Sequence, residues 1–461
     1  MTHASLPGQV EQPRPAGVLD PLEGVSLGAR IRLVFAASSG NLVEWFDFYV
    51  YATFAIFFSK QFFPAGSDTV ALLNTAAIYL VGFLARPVGG YFFGRMADRV
   101  GRKSAMLLSV TLMCLGSLAF AALPVFSGPY GIGVAAPVLA LVVRIVQGFS
   151  VGGEYGTTAT YMTEIAPSRN RGLFSSFQYV TLIGGQLLAG LVAVVLQLIL
   201  TQAQMASFGW RIPFVLGAIA ALVSFYLRRA LTETTVAATR RVAGSGTFRG
   251  VLRYPRSFLV VLGLTCAGSL IFYAFTTYMT KYLITTNSFS KQTATTITTI
   301  SLGVFMCAQP LFGMLSDKIG RRTSMLVFNG AMAVITVPVL LVLGSTRSAV
   351  VACLTLIGTQ LVMSFYTSIA GVVKAEVFPA AVRAMGVGFT YAIGNSLFGG
   401  SAEYVALSLT AHHHGGAFGW YVVVMAVVGF IAAWFLWDSR RRNLIDHHES
   451  ELSQKVRARV G

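Results

Sequence analysis

Charge is scarce in this sequence. Only 11% of its 461 residues are Asp, Glu, Lys or Arg, against 55% that are hydrophobic, whereas a soluble domain carries roughly a quarter charged residues. That composition excludes a water-facing enzyme of this length and a disordered chain held open by its own charge. Cysteine is scarcer still. Cys114, Cys266, Cys307 and Cys353 each stand alone in apolar sequence, which gives neither a disulfide framework nor a metal-ligand spacing. A P-loop, a hydrolase triad and a zinc spacing are also missing, and His412, His413 and His414 adjoin Gly415 and Gly416 without supporting ligands. The expectation is no cofactor, no metal, no enzyme activity and no ATP-driven pumping.

Long apolar runs are abundant. Twelve blocks approach or exceed the roughly 20 residues a membrane-spanning helix needs. They lie near 31–58, 68–93, 104–123, 134–164, 172–200, 211–229, 256–284, 291–315, 323–343, 348–376, 387–410 and 417–437. The first 29 residues are rich in Pro, Gly and Ala, and they read as a soluble tail and not as a signal peptide. Net charge is +17, from 34 basic against 17 acidic residues. With both termini on one side, 26 of the 34 basic residues fall on that side. Five (Lys60, Arg211, Lys281, Lys291 and Arg347) fall on the other, and Arg86, Arg144 and Lys374 lie within spans. This bias places both termini in the cytoplasm and explains the charge through topology and anionic lipid, with no nucleic-acid partner.

The chain repeats itself. GRMADRVGRK (94–103) follows the second block and GMLSDKIGRR (313–322) follows the eighth, 219 residues later. EIAPSRNRG begins at Glu164 and EVFPAAVRAMG at Glu376, 212 residues on, each with Pro three and Arg seven positions after the Glu. Two same-sense matches at nearly one offset indicate a duplicated six-helix unit. The expected architecture is all-α: a 1–29 tail, a 30–229 bundle, an Arg-rich 230–255 linker, a 256–437 bundle and a 438–461 tail. Two parallel repeats place a site near the midplane between them.

The doubled G-x-x-x-D-[RK]-x-G-R-[RK] loop, in this arrangement, resembles the major facilitator superfamily. NLVEWFDFY (41–49), RPVGG (86–90) and RIVQGFSVGGEYG (144–156) resemble the metabolite:proton symporter family. Members of that family carry citrate, α-ketoglutarate, shikimate, or proline and betaine. YVTLIGGQLL (179–188), FTTYMTKYL (275–283) and GGSAEYVALSL (399–409) are most similar to its α-ketoglutarate carriers. The resemblance covers about residues 31–437. It implies import of an organic acid with protons across a bacterial inner membrane by a monomer. Citrate or a C4-dicarboxylate remains the same-class alternative, and a transporter-like carboxylate sensor the different-class one.

The residues also speak without the family. Ionisable groups at membrane depth are functional candidates by default; here they are Glu44, Asp47, Arg86, Arg144, Glu154, Lys374 and Glu403. A guanidinium binds a carboxylate through two parallel hydrogen bonds, so Arg86 is a candidate anchor, with an ion pair to Asp47 or Glu44 as the alternative. Arg144, Gln147, Val151, Glu154, Thr158 and Tyr161 form one stripe of a helix, on which Arg144 could hold a second carboxylate and Glu154 a proton. Glu44 and Asp47 share a helix face. Two close carboxylates do not both ionise easily in low dielectric, which suits proton carriage, and Asp47 is the deeper. Lys374 either attracts substrate or snorkels to the interface. Gln178, Tyr273, Thr276, Tyr391 and Asn395 are candidate neutral ligands. Gly94, Asp98, Arg99, Gly101 and Arg102, with Asp317, Lys318, Gly320, Arg321 and Arg322, are expected to gate. Asp98 and Asp317 would receive a helix N-terminus or the nearby Arg102 and Arg322.

Overall fold

The computed structural model describes residues 27–99, 102–152, 168–229, 251–378 and 382–437, together with Tyr155, Gly156, Ala159, Thr163 and Ala166. Every regular element among them is a helix. Lipid offers no partner for backbone N–H and C=O groups, so a spanning segment must satisfy them within itself. Seventeen helices carry the twelve apolar blocks. They are α1 (Leu27–Phe62), α2 (Asp68–Leu84), α3 (Arg86–Arg99), α4 (Arg102–Ala122), α5 (Ala135–Val151), α6 (Arg171–Ile199), α7 (Gln202–Ser207) and α8 (Ile212–Arg229) in the first half. The second half has α9 (Pro255–Phe275), α10 (Met279–Thr285), α11 (Lys291–Ile319), α12 (Arg321–Ser345), α13 (Ala349–Thr367), α14 (Ala370–Val377), α15 (Arg383–Gly394), α16 (Gly400–Ala411) and α17 (Ala417–Trp434). Among the described residues nine stretches are long and apolar enough to cross a membrane. α4, α5 and the α15–α16 pair account for the other three blocks.

Helix starts follow ordinary capping chemistry. Ser67, Ser290 and Ser348 accept from the backbone N–H three residues on, opening α2, α11 and α13, and Pro255 opens α9 at a position where its missing N–H costs nothing. Large apolar side chains face outward in stripes. On α8, Leu216, Ile219, Val223 and Tyr226 are exposed at helical spacing, as expected where the solvent is hydrocarbon. Trp420 and Trp434 are exposed near the two ends of α17, where amphipathic rings favour the two interfaces.

Four spans are broken, and the breaks position the site. Pro87 has no N–H to give the carbonyl of Phe83, so α2 yields to α3 at Arg86; Ser396, from the other half, donates its hydroxyl to that carbonyl at 2.6 Å. α9 ends at Phe275, whose freed carbonyl accepts from Gln360 at 3.1 Å. α13 gives way to α14 at Ser368–Ile369. Asn395–Gly399 is a π-helical turn between α15 and α16, a distortion that recurs at functional sites.

The halves meet along α6 and α11, α2 and α16, and α3 and α15. On the face carrying the repeated loops, the Ser175 hydroxyl accepts from the backbone N–H of Val372 at 3.1 Å. On the opposite face, Lys291 of α11 donates to the carbonyl of Ile56 at 2.7 Å. The halves are therefore joined on both sides of the centre.

Candidate functional site

The centre is an aromatic box holding two cations. Arg86, at the α2–α3 break, lies 4.1 Å from the ring of Phe48, 4.0 Å from Phe83 and 5.2 Å from Trp45. Arg144 of α5 lies 4.4 Å from Tyr51 and 5.0 Å from Phe48. Both arginines are 1–2% exposed, and Nε and Nη2 of each have no hydrogen-bond partner. Rings face the charge of each guanidinium while its Nε and Nη2 stay open as donors, and two such forks on one ring suit a ligand with two anionic ends. Phe48 is the shared platform, because it presents a ring to both.

Arg144 reaches Asp47 through an amide. Its Nη1 donates to Oε1 of Gln147 at 2.9 Å, and Nε2 of Gln147 donates to Oδ2 of Asp47 at 3.1 Å. The Ser117 hydroxyl of α4 donates to Oδ1 of Asp47, and Gly217 of α8 leaves room beside that oxygen. The partners of Asp47 are therefore Ser117 and Gln147, not Arg86. Glu44, three residues earlier, has different surroundings. It lines a narrow cavity with Arg86, Trp45, Asn41, Tyr155 and Tyr391. Glu154 lies outside the described residues.

The second half closes the cavity with tyrosines and a lysine. Tyr391 stacks on Tyr155 of the first half with ring centroids 3.3 Å apart. Lys374 is 1% exposed, donates to the Tyr155 hydroxyl at 3.1 Å and lies 4.6 Å from the Tyr391 ring. The snorkelling alternative is therefore wrong: the side chain points into protein, where the tyrosine faces replace water around its charge. Tyr273 stacks edge-on against Phe83 at 5.3 Å. Buried polar atoms without partners, Oε1 of Gln178 and Nδ2 of Asn395, belong to the same region. Thr276 instead turns its hydroxyl back to the carbonyl of Phe272 at 2.7 Å.

The second loop copy joins the two halves. Asp317 accepts from the backbone N–H groups of Gly172 (2.9 Å) and Leu173 (3.2 Å), capping α6 of the opposite half, and pairs with Arg321 at 2.7 Å. Its partner is Arg321 and not Arg322, which leaves for the Trp434 carbonyl at 2.9 Å. Gly320 has φ +98°, a left-handed turn that favours glycine, and Lys318 shares the loop. Of the first copy, Gly101 lies outside the described residues, as do the side chains of Asp98, Arg99 and Arg102; Gly94 is described only as part of α3.

Sequence reasoning missed the aromatic box, because Phe and Tyr in a span read as filler. It also misplaced Lys281. Counted among the basic residues of the far side, Lys281 is buried against Glu403 at 2.5 Å. Of the other four, Lys60 pairs with Asp68 at 3.3 Å, Arg211 donates to the carbonyls of Ala121 and Leu123 at the end of α4, Arg347 donates to the carbonyl of Asn287, and Lys291 joins the halves.

Two six-helix halves, spans broken at the midplane and an unsatisfied cationic site between them define a secondary transporter of the major facilitator class. The chain belongs to the family described as "Sugar (and other) transporter", whose model matches twice, over residues 33–246 and 241–449. It is a transporter and not an enzyme. It is 54% identical over 407 residues to the alpha-ketoglutarate permease of Escherichia coli K12, covering 88% of this chain and 94% of that one. It is 31% identical to the inner membrane metabolite transport protein YhjE of the same strain, covering 92% and 97%, and 29% identical to its proline/betaine transporter, covering 90% and 84%. Among solved structures, the xylose transporter XylE of Escherichia coli in a partially occluded inward-open conformation superposes with a TM-score of 0.70 at 18% identity, over 89% of this chain and 98% of that one. That likeness concerns the fold alone.

Proposed function

We propose that the chain imports α-ketoglutarate, or a closely related dicarboxylate, together with protons by alternating access. One observation carries the reading: Arg86 and Arg144 are buried on a common ring with Nε and Nη2 of each unpartnered. A dicarboxylate supplies two acceptors for two forks, and its charge offsets the desolvation of both guanidinium groups. Tyr391, Lys374, Gln178, Tyr273 and Asn395 would complete the binding site, with Thr276 beside it. The identity to a named α-ketoglutarate permease supports the same substrate.

Asp47 is the proton carrier in this reading, with Glu44 and Glu154 as further carboxylates of the same half. Protonating Asp47 removes the negative end of the Asp47–Gln147–Arg144 chain and changes the field at the substrate fork. A dianion entering an inside-negative cell is opposed by about 2.3 kcal/mol per charge per 100 mV, and accompanying protons remove that opposition. The basic bias supports a cytoplasmic repeated-loop face and cytoplasmic termini, and the likeness to a named inner membrane transport protein of Escherichia coli supports a bacterial inner membrane. The divisions 1–29, 30–229, 230–255, 256–437 and 438–461 follow the repeat. The unit is a monomer in the lipid bilayer that needs no cofactor.

The deciding experiment is uptake of labelled α-ketoglutarate into proteoliposomes, with and without an inward proton gradient, in competition with citrate, succinate and shikimate. Accumulation that a protonophore abolishes, competed best by unlabelled α-ketoglutarate, supports substrate and coupling together. Counterflow with another acid and none with α-ketoglutarate would keep the symport and replace the substrate. Binding with no uptake would point to a sensor.

A further inference from the structure

Lys281 of α10 and Glu403 of α16 meet inside the second half, toward the face opposite the repeated loops. The ammonium donates to Oε1 of Glu403 at 2.5 Å, and the side chains are 1% and 5% exposed. The other oxygen, Oε2, is buried with no hydrogen-bond partner. The roles given above to Arg86, Arg144, Asp47 and Lys374 make no use of this pair.

A buried ion pair is weak evidence of stability, since apolar replacements of equal volume are often neutral or better. At membrane depth it is a functional candidate by default. Its setting narrows the function. α16 packs against α2 of the other half, and Gly400, three residues before Glu403, makes room for the Phe83 ring that lies against Arg86. On the other side of that packing, Tyr51 of α1 and Tyr79 of α2 are buried and stacked on one another. α17 brings Tyr421 beside Ser401 and carries no charged side chain, while the one charge of α9 is Arg256 at its far end. Lys281 is thus the single cation that holds this carboxylate among the described residues. A dicarboxylate accompanied by one proton still carries one negative charge inward against the membrane potential. The Asp47 site lies in the first half, and Glu403 is a second carboxylate placed where the halves part.

We propose that Glu403, steadied by Lys281, is a second proton-binding site of the transport cycle, so that two protons enter with each dicarboxylate. The inference rests on the proton-coupled dicarboxylate reading. The proton comes from the aqueous phase of the face that opens between α2 and α16. It adds to Oε2, Oε1 keeps the hydrogen bond from Lys281, and the pair passes from neutral to a single positive charge with no other bond changed. Closure of that face seals the acid beneath Tyr51 and Tyr79. The proton then leaves toward the cavity, which Ala392 lines about three helical turns along the same span.

The test measures proton and labelled α-ketoglutarate fluxes in the same proteoliposomes made from the full chain. Because Glu403→Gln alone leaves a buried unpaired ammonium, it is compared with Glu403→Gln/Lys281→Met. The expected ratio falls from two protons per substrate to one in the double variant, while counterflow of labelled against unlabelled substrate at equal pH persists. An unchanged ratio in the double variant, or a ratio of one in the unsubstituted protein, overturns the proposal. Should the double variant fail to insert, Glu403→Asp keeps the acid but draws it away from Lys281. It is expected to move the pH midpoint of coupled flux, and an unmoved midpoint overturns the proposal equally. Absence of any α-ketoglutarate flux in the unsubstituted protein would instead overturn the transport reading on which the inference stands.

Discussion

At the scale of single residues, the site separates charge from hydrogen-bonding geometry. The rings around Arg86 neutralise a cation of any shape, but only the guanidinium offers a planar fork to a carboxylate. Arg86→Lys keeps the charge over Phe48 and Phe83 and loses the fork. Charge-assisted hydrogen bonds are worth about 1.5–3 kcal/mol, so the substitution is expected to abolish measurable uptake at low substrate while leaving the protein folded and monodisperse in detergent. Near-normal uptake would remove Arg86 as the anchor. Asp47 separates binding from coupling in the same way. Asparagine can still meet Ser117 and Gln147, the partners the carboxylate has now, but it cannot take up a proton. Asp47→Asn is expected to bind and exchange α-ketoglutarate and to lose the proton carried at Asp47, so that fewer protons enter with each substrate. An unchanged proton-to-substrate ratio in this variant would remove Asp47 as a carrier.

At the scale of elements, the two arginines are placed by glycines. A Cβ on Gly89 would overlap the carbonyl of Phe149, one on Gly148 that of Gly82, and one on Gly152 that of Arg86. α2, α3 and α5 therefore cross backbone to backbone, and Arg86 and Arg144 stand at that crossing. Gly148→Ala must push the helices apart at a cost of about 1–3 kcal/mol. It is expected to lower the melting temperature by several degrees and to impair transport at substitution levels that leave Gly358→Ala, a position facing open space, unaffected. Equal behaviour of the two variants would mean that the crossing does not position the arginines. Much of this was legible beforehand: RPVGG and the glycines near Arg144 signal close approach, and the apolar blocks gave the spans. The breaks were legible only in part. Pro87 marks one by its missing N–H, but nothing in Phe275–Met279 or in Asn395–Gly399 forbids a continuous helix. Tertiary partners stabilise those interruptions, Gln360 for Phe275 and Phe83 for Ser396, and a partner 85 or 313 residues away leaves no local trace. The same reason hid the Lys281–Glu403 pair and the link from Arg144 to Asp47 through Gln147.

At the scale of the molecule, the duplicated loop explains why a motif of charges sits far from any ligand. Its second copy ties the halves together: Asp317 of one holds the N-terminus of α6 in the other, and Arg321 holds Asp317. The helix end adds a partial positive charge to two direct backbone donors. In the proposed alternating access this tie forms and breaks, so that its strength sets a population and not an affinity. Lys374 with Tyr155, and Tyr155 with Tyr391, close the same side nearer the site, which means that opening the loop face also unpacks the wall of the cavity. Asp317→Ala removes the acceptor from both N–H groups and from Arg321. A loss of about 2 kcal/mol shifts a two-state equilibrium by roughly thirtyfold, toward the state open on the loop face. Spin labels replacing Arg169 in the first half and Arg256 at the start of the second, both exposed, report that change in a background without the four native cysteines. The expected distance distribution broadens and lengthens in Asp317→Ala, and added substrate restores the shorter population because it binds both halves. If the distribution is the same with and without Asp317, the tie does not govern opening, and the repeated charges serve topology alone.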